Sequence, residues 1–171
     1  VKARELVMTG QIGELRAIQT FFSYYNDDPQ DIRNMADIGG GGLMDIGCYP
    51  ISVSRFIFDA EPHKVVGTIE RDPDFGTDRF ASAMMEFEKG TANFTCATQL
   101  SPYQEVLIQG IEGWVKIEIP FNPPIDRPCR IWHQRDDVVR EINLEICSHY
   151  TIQGDLFSQA VLQDKDVPTP I

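Results

Sequence analysis

The stretch RFASAMMEFEKGTANFTCATQ, residues 79–99, decides the fold class of this protein. Apolar side chains alternate with others on both sides of the turn Glu88-Lys89-Gly90, a pattern typical of two strands joined as a hairpin. Similar runs follow residue 61 without intervening helices, which favours an antiparallel meander. The predicted strands are residues 14–25, 64–70, 79–88, 91–99, 104–109, 113–119, 129–134 and 138–144.

Three other segments predict helices. Residues 1–10 are typical of the end of a helix, and residues 43–58 leave so few polar positions that the helix must be largely buried. Pro50 is expected to kink or restart that helix because proline removes a backbone donor. A last helix is predicted at residues 150–163, with Leu156, Phe157, Ala160 and Val161 on one face. The fold class is therefore α+β, a large open and mostly antiparallel sheet with helices on one face.

The other face of this sheet is expected to stay uncovered, because a few helices cannot hide both faces of six or more strands. Apolar side chains are predicted there at Phe80, Met84, Phe94 and Trp114. An exposed apolar sheet face usually marks a partner surface. The sequence thus predicts a homodimer that forms through the open sheet face.

Composition limits the other classes of partner. The 171 residues fit a single domain, and the net charge of −11 lacks the basic footprint that nucleic acid and anionic lipid require. No apolar run approaches the ~20 residues of a membrane span, and no signal-peptide pattern opens the chain. We therefore expect no nucleic-acid partner, no membrane association and a cytoplasmic location. The four cysteines are scattered and are expected to be reduced thiols in the core: Cys48, Cys96, Cys129 and Cys147.

The densest candidate site is GGGGLMDIGCY, residues 39–49. Its glycines permit close backbone approach to a ligand and open into a helix. Asp45 and Tyr49 are four residues apart and share a helical face, so a carboxylate and a phenol could hold a polyol and exchange its proton. Arg33 precedes the glycines closely enough to reach the same place. Loop glycines, a helix-dipole aspartate, a packed tyrosine and a solvated arginine remain the structural alternative.

Other chemistries have less support. The three histidines fall in separate elements, so no metal site is predicted. Cys48 could line the same place as Tyr49, but no histidine base lies near it in sequence, and core packing is the favoured interpretation.

The chain resembles the C-terminal domain of the glucose-fructose oxidoreductase and inositol dehydrogenase (Gfo/Idh/MocA) family. The resemblance covers nearly the whole chain and rests on GQIGELR at residues 10–16, GGGGLMDIGCYPI at 39–51 and Glu61-Pro62. Its most specific part is G-G-x-x-x-D-x-G-x-[HY], which the chain matches at Gly40, Gly41, Asp45, Gly47 and Tyr49.

The resemblance implies the roles of these residues. Tyr49 matches the family's acid/base position beside the nicotinamide, and Asp45 matches the carboxylate that orients the substrate hydroxyl. Arg33 occupies a stretch where similar sugar oxidoreductases often carry a substrate-facing arginine, and Gly40 and Gly41 are expected to bind substrate. The family places its large open sheet at a dimer interface, and its substrates are sugars or related polyols.

The resemblance also implies that parts are missing. The dinucleotide fingerprint G-x-G-x-x-G and the lysine-bearing motif have no match here, so NAD or NADP is expected to bind mainly in an absent N-terminal domain, and no cofactor is expected in this fragment. The family's final helix is expected beyond residues 167–171. We therefore expect a longer NAD(P)-dependent parent that acts by hydride transfer, with this fragment inactive alone. Two alternatives stay open, a module for sheet-mediated dimerisation only and a sugar-sensing module.

Overall fold

The computed structural model describes residues 1–166 of the chain. The final helix predicted beyond residues 167–171 lies outside the described residues. The helices are α1 (Lys2–Met8), α2 (Cys48–Phe58) and α3 (His149–Gln163). The strands are β1 (Leu15–Tyr25), β2 (Lys64–Arg71), β3 (Asp78–Phe87), β4 (Gly90–Ala97), β5 (Gln99–Gly110), β6 (Gly113–Ile117), β7 (Arg130–Arg135) and β8 (Val138–Asn143). The predicted α+β class is confirmed.

The strands form one open sheet in the order β2-β3-β4-β1-β5-β6-β7-β8. Neighbouring strands are antiparallel except β1 and β4, which pair in parallel. The sheet is mostly antiparallel as predicted, but the meander predicted for the strands after residue 61 is wrong at one point, where β1 separates β4 from β5. Ile18 and Phe22 of β1 are almost completely buried, whereas every residue of the edge strand β2 is exposed. The most apolar strand takes the centre of the sheet, where both neighbours cover it.

One face of the sheet packs against the helices. Its central side chains are buried beneath α1, α2 and the segment before α2: Ile18, Phe22, Phe94, Cys96, Val106, Ile108 and Val115. Burial of each Val, Ile or Phe side chain in this layer stabilises the folded state by about 1.5–3 kcal/mol. This layer holds the N-terminal end of α2 against the ends of β1 and β4.

The open face differs from the prediction at one residue. Phe94 lies on the covered face, because it stands opposite Ala83 and in phase with the buried Ala92 and Cys96. Met84 stands opposite Asn93 and belongs to the open face, where 38% of its surface is exposed. Alternation identifies two faces but not which of them the helices cover.

The helix predicted at residues 43–58 is one helical run of two kinds. A π-helical segment (Leu43–Gly47) leads directly into α2 at Cys48. Pro50 is the third residue of α2 and lacks a backbone N–H, so the change from π-helix to α-helix lies directly before it. The expected restart of the helix is thus found just before the proline.

Two further expectations need correction. In α3, only Ala160 is buried, whereas Leu156, Phe157 and Val161 of the predicted apolar face are exposed. All four cysteines are free, but Cys48 and Cys147 are exposed rather than in the core. None of the helices formed by residues 1–166 combines the length and the apolar character needed to cross a membrane.

Candidate functional site

A cavity of about 800 Å³ opens where β1 ends beside β5 and the π-helical segment. All five tyrosines of the chain line it: Tyr24, Tyr25, Tyr49, Tyr103 and Tyr150. We name it the tyrosine pocket. Asp45 and Arg33 lie on the same wall, and Asn26, Gln104 and Asn122 add neutral polar groups. The pocket therefore offers many hydrogen-bonding groups on aromatic walls, as a binding site for a small polar molecule requires.

Asp45 is held at both carboxylate oxygens. Arg33 Nε donates to Oδ1 at 2.9 Å, and the Tyr24 hydroxyl donates to Oδ2 at 2.7 Å. The hydrogen bond and the negative charge of Asp45 raise the pKa of the Arg33 guanidinium. The carboxylate thus has a fixed orientation in the pocket wall.

Arg33 is positioned by a short 3₁₀ turn (Ile32–Asn34). Asp31 caps this turn by accepting the backbone N–H of Arg33 at 2.9 Å, and its carboxylate also lies 3.4 Å from Arg33 Nη1. This backbone hydrogen bond is the main reason that the pKa of Asp31 lies below its ordinary value. Arg33 therefore reaches the pocket as part of an Asp31–Arg33–Asp45 ion-pair chain.

Tyr49 lies on the same pocket wall one helical turn from Asp45. Its ring meets Phe22 edge-on with centroids 5.6 Å apart and lies 5.3 Å from Phe121, while 38% of its surface remains exposed. Burial, and then the negative charges of its ionisable neighbours, raises the pKa of the Tyr49 phenol. In the described part of the chain, nothing shifts that phenol toward ionisation at neutral pH, so an external cation is needed to form the phenolate.

Gly40 and Gly41 do not line the tyrosine pocket. A Cβ on Gly40 would lie 2.5 Å from the Arg33 carbonyl oxygen, and one on Gly41 would lie 2.1 Å from Asp78 Oδ1. Close packing therefore explains why neither position has room for a side chain. The role of both glycines in substrate binding stays a prediction.

Sequence reasoning identified Asp45, Tyr49 and Arg33 but missed Tyr24 and the other pocket tyrosines. The aromatic end of β1, Tyr24-Tyr25, carried the only local signal. Tyr103 and Tyr150 come from β5 and α3, and only the tertiary structure brings them to the same cavity.

The tyrosine pocket contains no cluster of metal ligands and no unpaired cation among its described lining residues. Within residues 1–166, no three His, Cys, Asp or Glu side chains are grouped so that they could hold a metal ion. Among the pocket-lining residues, the single cation is Arg33, which is already paired with two carboxylates. A pyrophosphate needs free cations or a helix N-terminus directed at it, and the described lining of the tyrosine pocket offers no free cation.

Comparison with known families gives one match. Residues 1–116 match the family model of the GFO/IDH/MocA C-terminal domain. This range contains Arg33, Asp45 and Tyr49, together with β1 to β5 and nearly all of β6.

Curated relatives are oxidoreductases. The chain is 38% identical over 170 residues to an uncharacterized oxidoreductase, ORF334, of Rhizobium meliloti, covering 96% of this chain and 51% of the relative. It is 27% identical over 162 residues to an NADP⁺-dependent D-xylose 1-dehydrogenase of Haloferax volcanii, covering 94% of this chain and 49% of the relative. The chain spans about half the length of the curated relatives that it matches.

The fold also matches a solved structure. KijD10, a 3-ketoreductase from Actinomadura kijaniata in complex with NADP and TDP-benzene, aligns with a TM-score of 0.87 and 25% identity. The alignment covers 95% of this chain and 50% of that chain. The Haloferax volcanii relative is thus an NADP⁺-dependent sugar dehydrogenase, and KijD10, solved with NADP, shares this open-sheet fold.

Proposed function

The chain belongs to the GFO/IDH/MocA family, and on that premise we propose that it is the substrate-binding and catalytic C-terminal domain of a longer NAD(P)-dependent oxidoreductase. The substrate is a sugar or related polyol, and the reaction is hydride transfer. The observation that carries this proposal is the position of Asp45, Arg33 and Tyr49 on one wall of the tyrosine pocket.

The pocket suits a molecule rich in hydroxyl groups. Tyrosine offers an aromatic face for the C–H side of a sugar ring and a hydroxyl that both donates and accepts. The carboxylate of Asp45 accepts hydrogen bonds from substrate hydroxyls, because each of its oxygens has a second acceptor site beside the bond already formed. Arg33 uses Nε and Nη1 on carboxylates, and its remaining N–H groups can reach the distal oxygens of the substrate.

The protonation state of Tyr49 indicates how this chain handles the reacting proton. Because the pKa of Tyr49 is raised, the phenol is protonated at neutral pH, and its proton can pass to the oxygen of a carbonyl substrate as negative charge develops there during reduction. In the oxidative direction the phenolate must accept the proton of the substrate hydroxyl, which requires a cation from outside the described residues. Hydride transfer at the adjacent carbon is the chemistry that a nicotinamide would supply if it were bound beside this pocket.

Turnover of the full-length protein tests this function. We expect a change in nicotinamide absorbance with NADP or NAD and at least one compound from a panel of aldoses, keto-sugars, inositols and dihydrodiols. Tyr49→Phe should lower kcat by about 100-fold or more, the usual contribution of a general acid, while the melting temperature and the affinity for the nucleotide stay close to wild type. Near-normal turnover of this variant contradicts the assignment of Tyr49.

The open face of the sheet supports a second role for the same domain. Val66 and Met84 stand side by side on β2 and β3 and are 54% and 38% exposed. We propose that two copies pair through this face, whether the parent is an enzyme, a sugar sensor or an assembly module. Tight binding of sugar and nucleotide without turnover favours the sensor, and dimerisation without sugar binding favours the assembly module.

The four free thiols fit a reducing compartment, so we propose a cytoplasmic location.

A further inference from the structure

Tyr24 differs from the other pocket tyrosines in what its hydroxyl contacts. It stands one residue before the end of the central strand β1, where its half-buried ring packs against the hydrophobic core. Its hydroxyl lies 2.7 Å from Asp45 Oδ2 across 21 residues of sequence. The hydroxyl of the neighbouring Tyr25 instead contacts Asp27 two residues away on the surface. Tyr24 therefore links the end of the central strand to the candidate catalytic wall.

The Tyr24 hydroxyl is a permanent donor. Burial, the hydrogen bond to Asp45 and the negative charge of Asp45 all raise the pKa of this phenol, so it stays protonated across the physiological range. A hydrogen bond to a charged acceptor is worth about 1.5–3 kcal/mol, roughly twice a neutral one. The hydroxyl of Tyr24 is bonded to Asp45 at 2.7 Å, so this side chain acts by holding the carboxylate.

The two donors on Asp45 are anchored differently. Arg33 lies in a 3₁₀ turn of an exposed loop, and 42% of its side chain is exposed. Tyr24 lies at the bulge where the pairing of β1 with β5 shifts between Ser23 and Tyr25, directly after residues that are paired with strands on both sides. The Tyr24 hydroxyl ties Oδ2 of Asp45 to β1, and Arg33 Nε holds the other oxygen, Oδ1. With both oxygens held, the carboxylate cannot turn freely.

Resting on the proposed function, we infer that Tyr24 is a positioning residue of the reaction, which acts through Asp45 and holds this carboxylate toward the substrate hydroxyl. The contact lies in the pocket wall itself, since both residues line the cavity. Hydride transfer requires the reacting atoms to be held within a narrow geometry, so a displaced Asp45 lowers the rate more than it lowers sugar affinity.

A double-mutant cycle in the full-length enzyme tests this inference. Tyr24→Phe removes the hydroxyl and keeps the ring, and Asp45→Ala removes the acceptor. We expect Tyr24→Phe to lower kcat/KM by about 10-fold or more, mostly through kcat, and to change kcat/KM less than twofold in the Asp45→Ala background. Calorimetry on the wild type, the two single variants and the double variant measures sugar affinity. These four affinities form a second double-mutant cycle that does not depend on turnover.

Ser54→Ala is the matched control, because it removes a hydroxyl bonded to the Pro50 carbonyl at 2.7 Å inside α2, away from the pocket. It should leave kcat/KM unchanged even where it lowers the melting temperature. A Tyr24→Phe variant as active as wild type overturns the inference and leaves the proposed function intact. An equal loss with and without the Asp45 carboxylate also overturns it, since Tyr24 then acts by another route. A wild-type enzyme without turnover on the whole panel overturns the proposed function and the inference together.

Discussion

The carboxylate of Asp78, the first residue of β3, accepts a hydrogen bond from the backbone N–H of Leu43 at 2.5 Å. Leu43 begins the π-helical segment that carries Asp45, so Asp78 satisfies a free N–H group at the start of this helical run. The negative charge also favours the N-terminal end of the helix dipole. One side chain of the sheet therefore fixes where the candidate catalytic segment begins.

Asp78→Ala should destabilise the protein because this helix end loses its capping group. We expect a loss of about 1 kcal/mol in the free energy of unfolding, typical of a lost N-terminal cap, measured by urea denaturation. The nucleotide affinity serves as the control and should not change. An unchanged midpoint of unfolding contradicts the capping role.

Gly41→Ala should be more damaging than the same change at Gly39. Both glycines have positive φ, +134° and +85°, so both substitutions introduce backbone strain of ~1 kcal/mol or more. A Cβ at Gly41 meets Asp78 Oδ1 at 2.1 Å, whereas a Cβ at Gly39 meets nothing within 4 Å. Thermal melting of both variants checks this, and equal losses of stability would show that the contact with Asp78 is unimportant.

Glu118 should stabilise the protein at neutral pH and lose this effect as the solution becomes acidic. Arg130 donates to both of its oxygens, at 2.6 and 3.1 Å, and Arg127 adds a contact at 3.3 Å. These arginines, Arg130 first, hold the pKa of Glu118 below its ordinary value of 4.5. A carboxyl group with a lowered folded-state pKa stabilises the protein above its ordinary pKa, and this stability is lost as the pH falls through the lowered value.

Glu118→Gln should therefore flatten the loss of stability below pH 4.5 and lower stability at neutral pH by about 1 kcal/mol or less. Urea denaturation at a series of pH values measures both effects. Glu88→Gln, in the exposed turn between β3 and β4, is the control and should keep the wild-type slope. A wild-type slope in Glu118→Gln argues that the ion pair with Arg130 does not matter in solution.

Met84→Glu should weaken the proposed homodimer. Met84 stands beside Val66 on the open face, and a buried carboxylate without a partner at an interface is costly. Sedimentation of the full-length protein should shift toward the monomer by a factor of ten or more in dissociation constant, or about 1.4 kcal/mol. Met8→Glu, on an exposed residue of α1, is the matched control. If both variants assemble like wild type, the copies pair through another surface.

Much of the fold is a local property and follows from the sequence. Alternation of apolar residues identified every strand to within a few residues at its ends. The longest missed stretch is Leu100 to Tyr103 in β5, and Gln99 was assigned to the preceding strand. The spacing of Asp45 and Tyr49 placed both on one side of a helical run, because four residues complete about one turn.

Other features depend on contacts between distant segments. The sequence did not indicate that β1 inserts between β4 and β5, since this order depends on pairing between segments that are more than 70 residues apart. Nor did it indicate that Phe94 faces the helices, because alternation is symmetrical between the two faces of a sheet.

The sequence by itself determined the α+β class, the glycine-rich entry to the helical run and the Asp45–Tyr49 pair, since these depend on periodicity and local backbone conformation. Only the tertiary structure decided that the five tyrosines share one cavity and that Tyr24 binds Asp45. The physical reason is that a hydrogen bond between side chains 21 residues apart exists only when packing of the sheet against the helices brings their atoms within 3 Å.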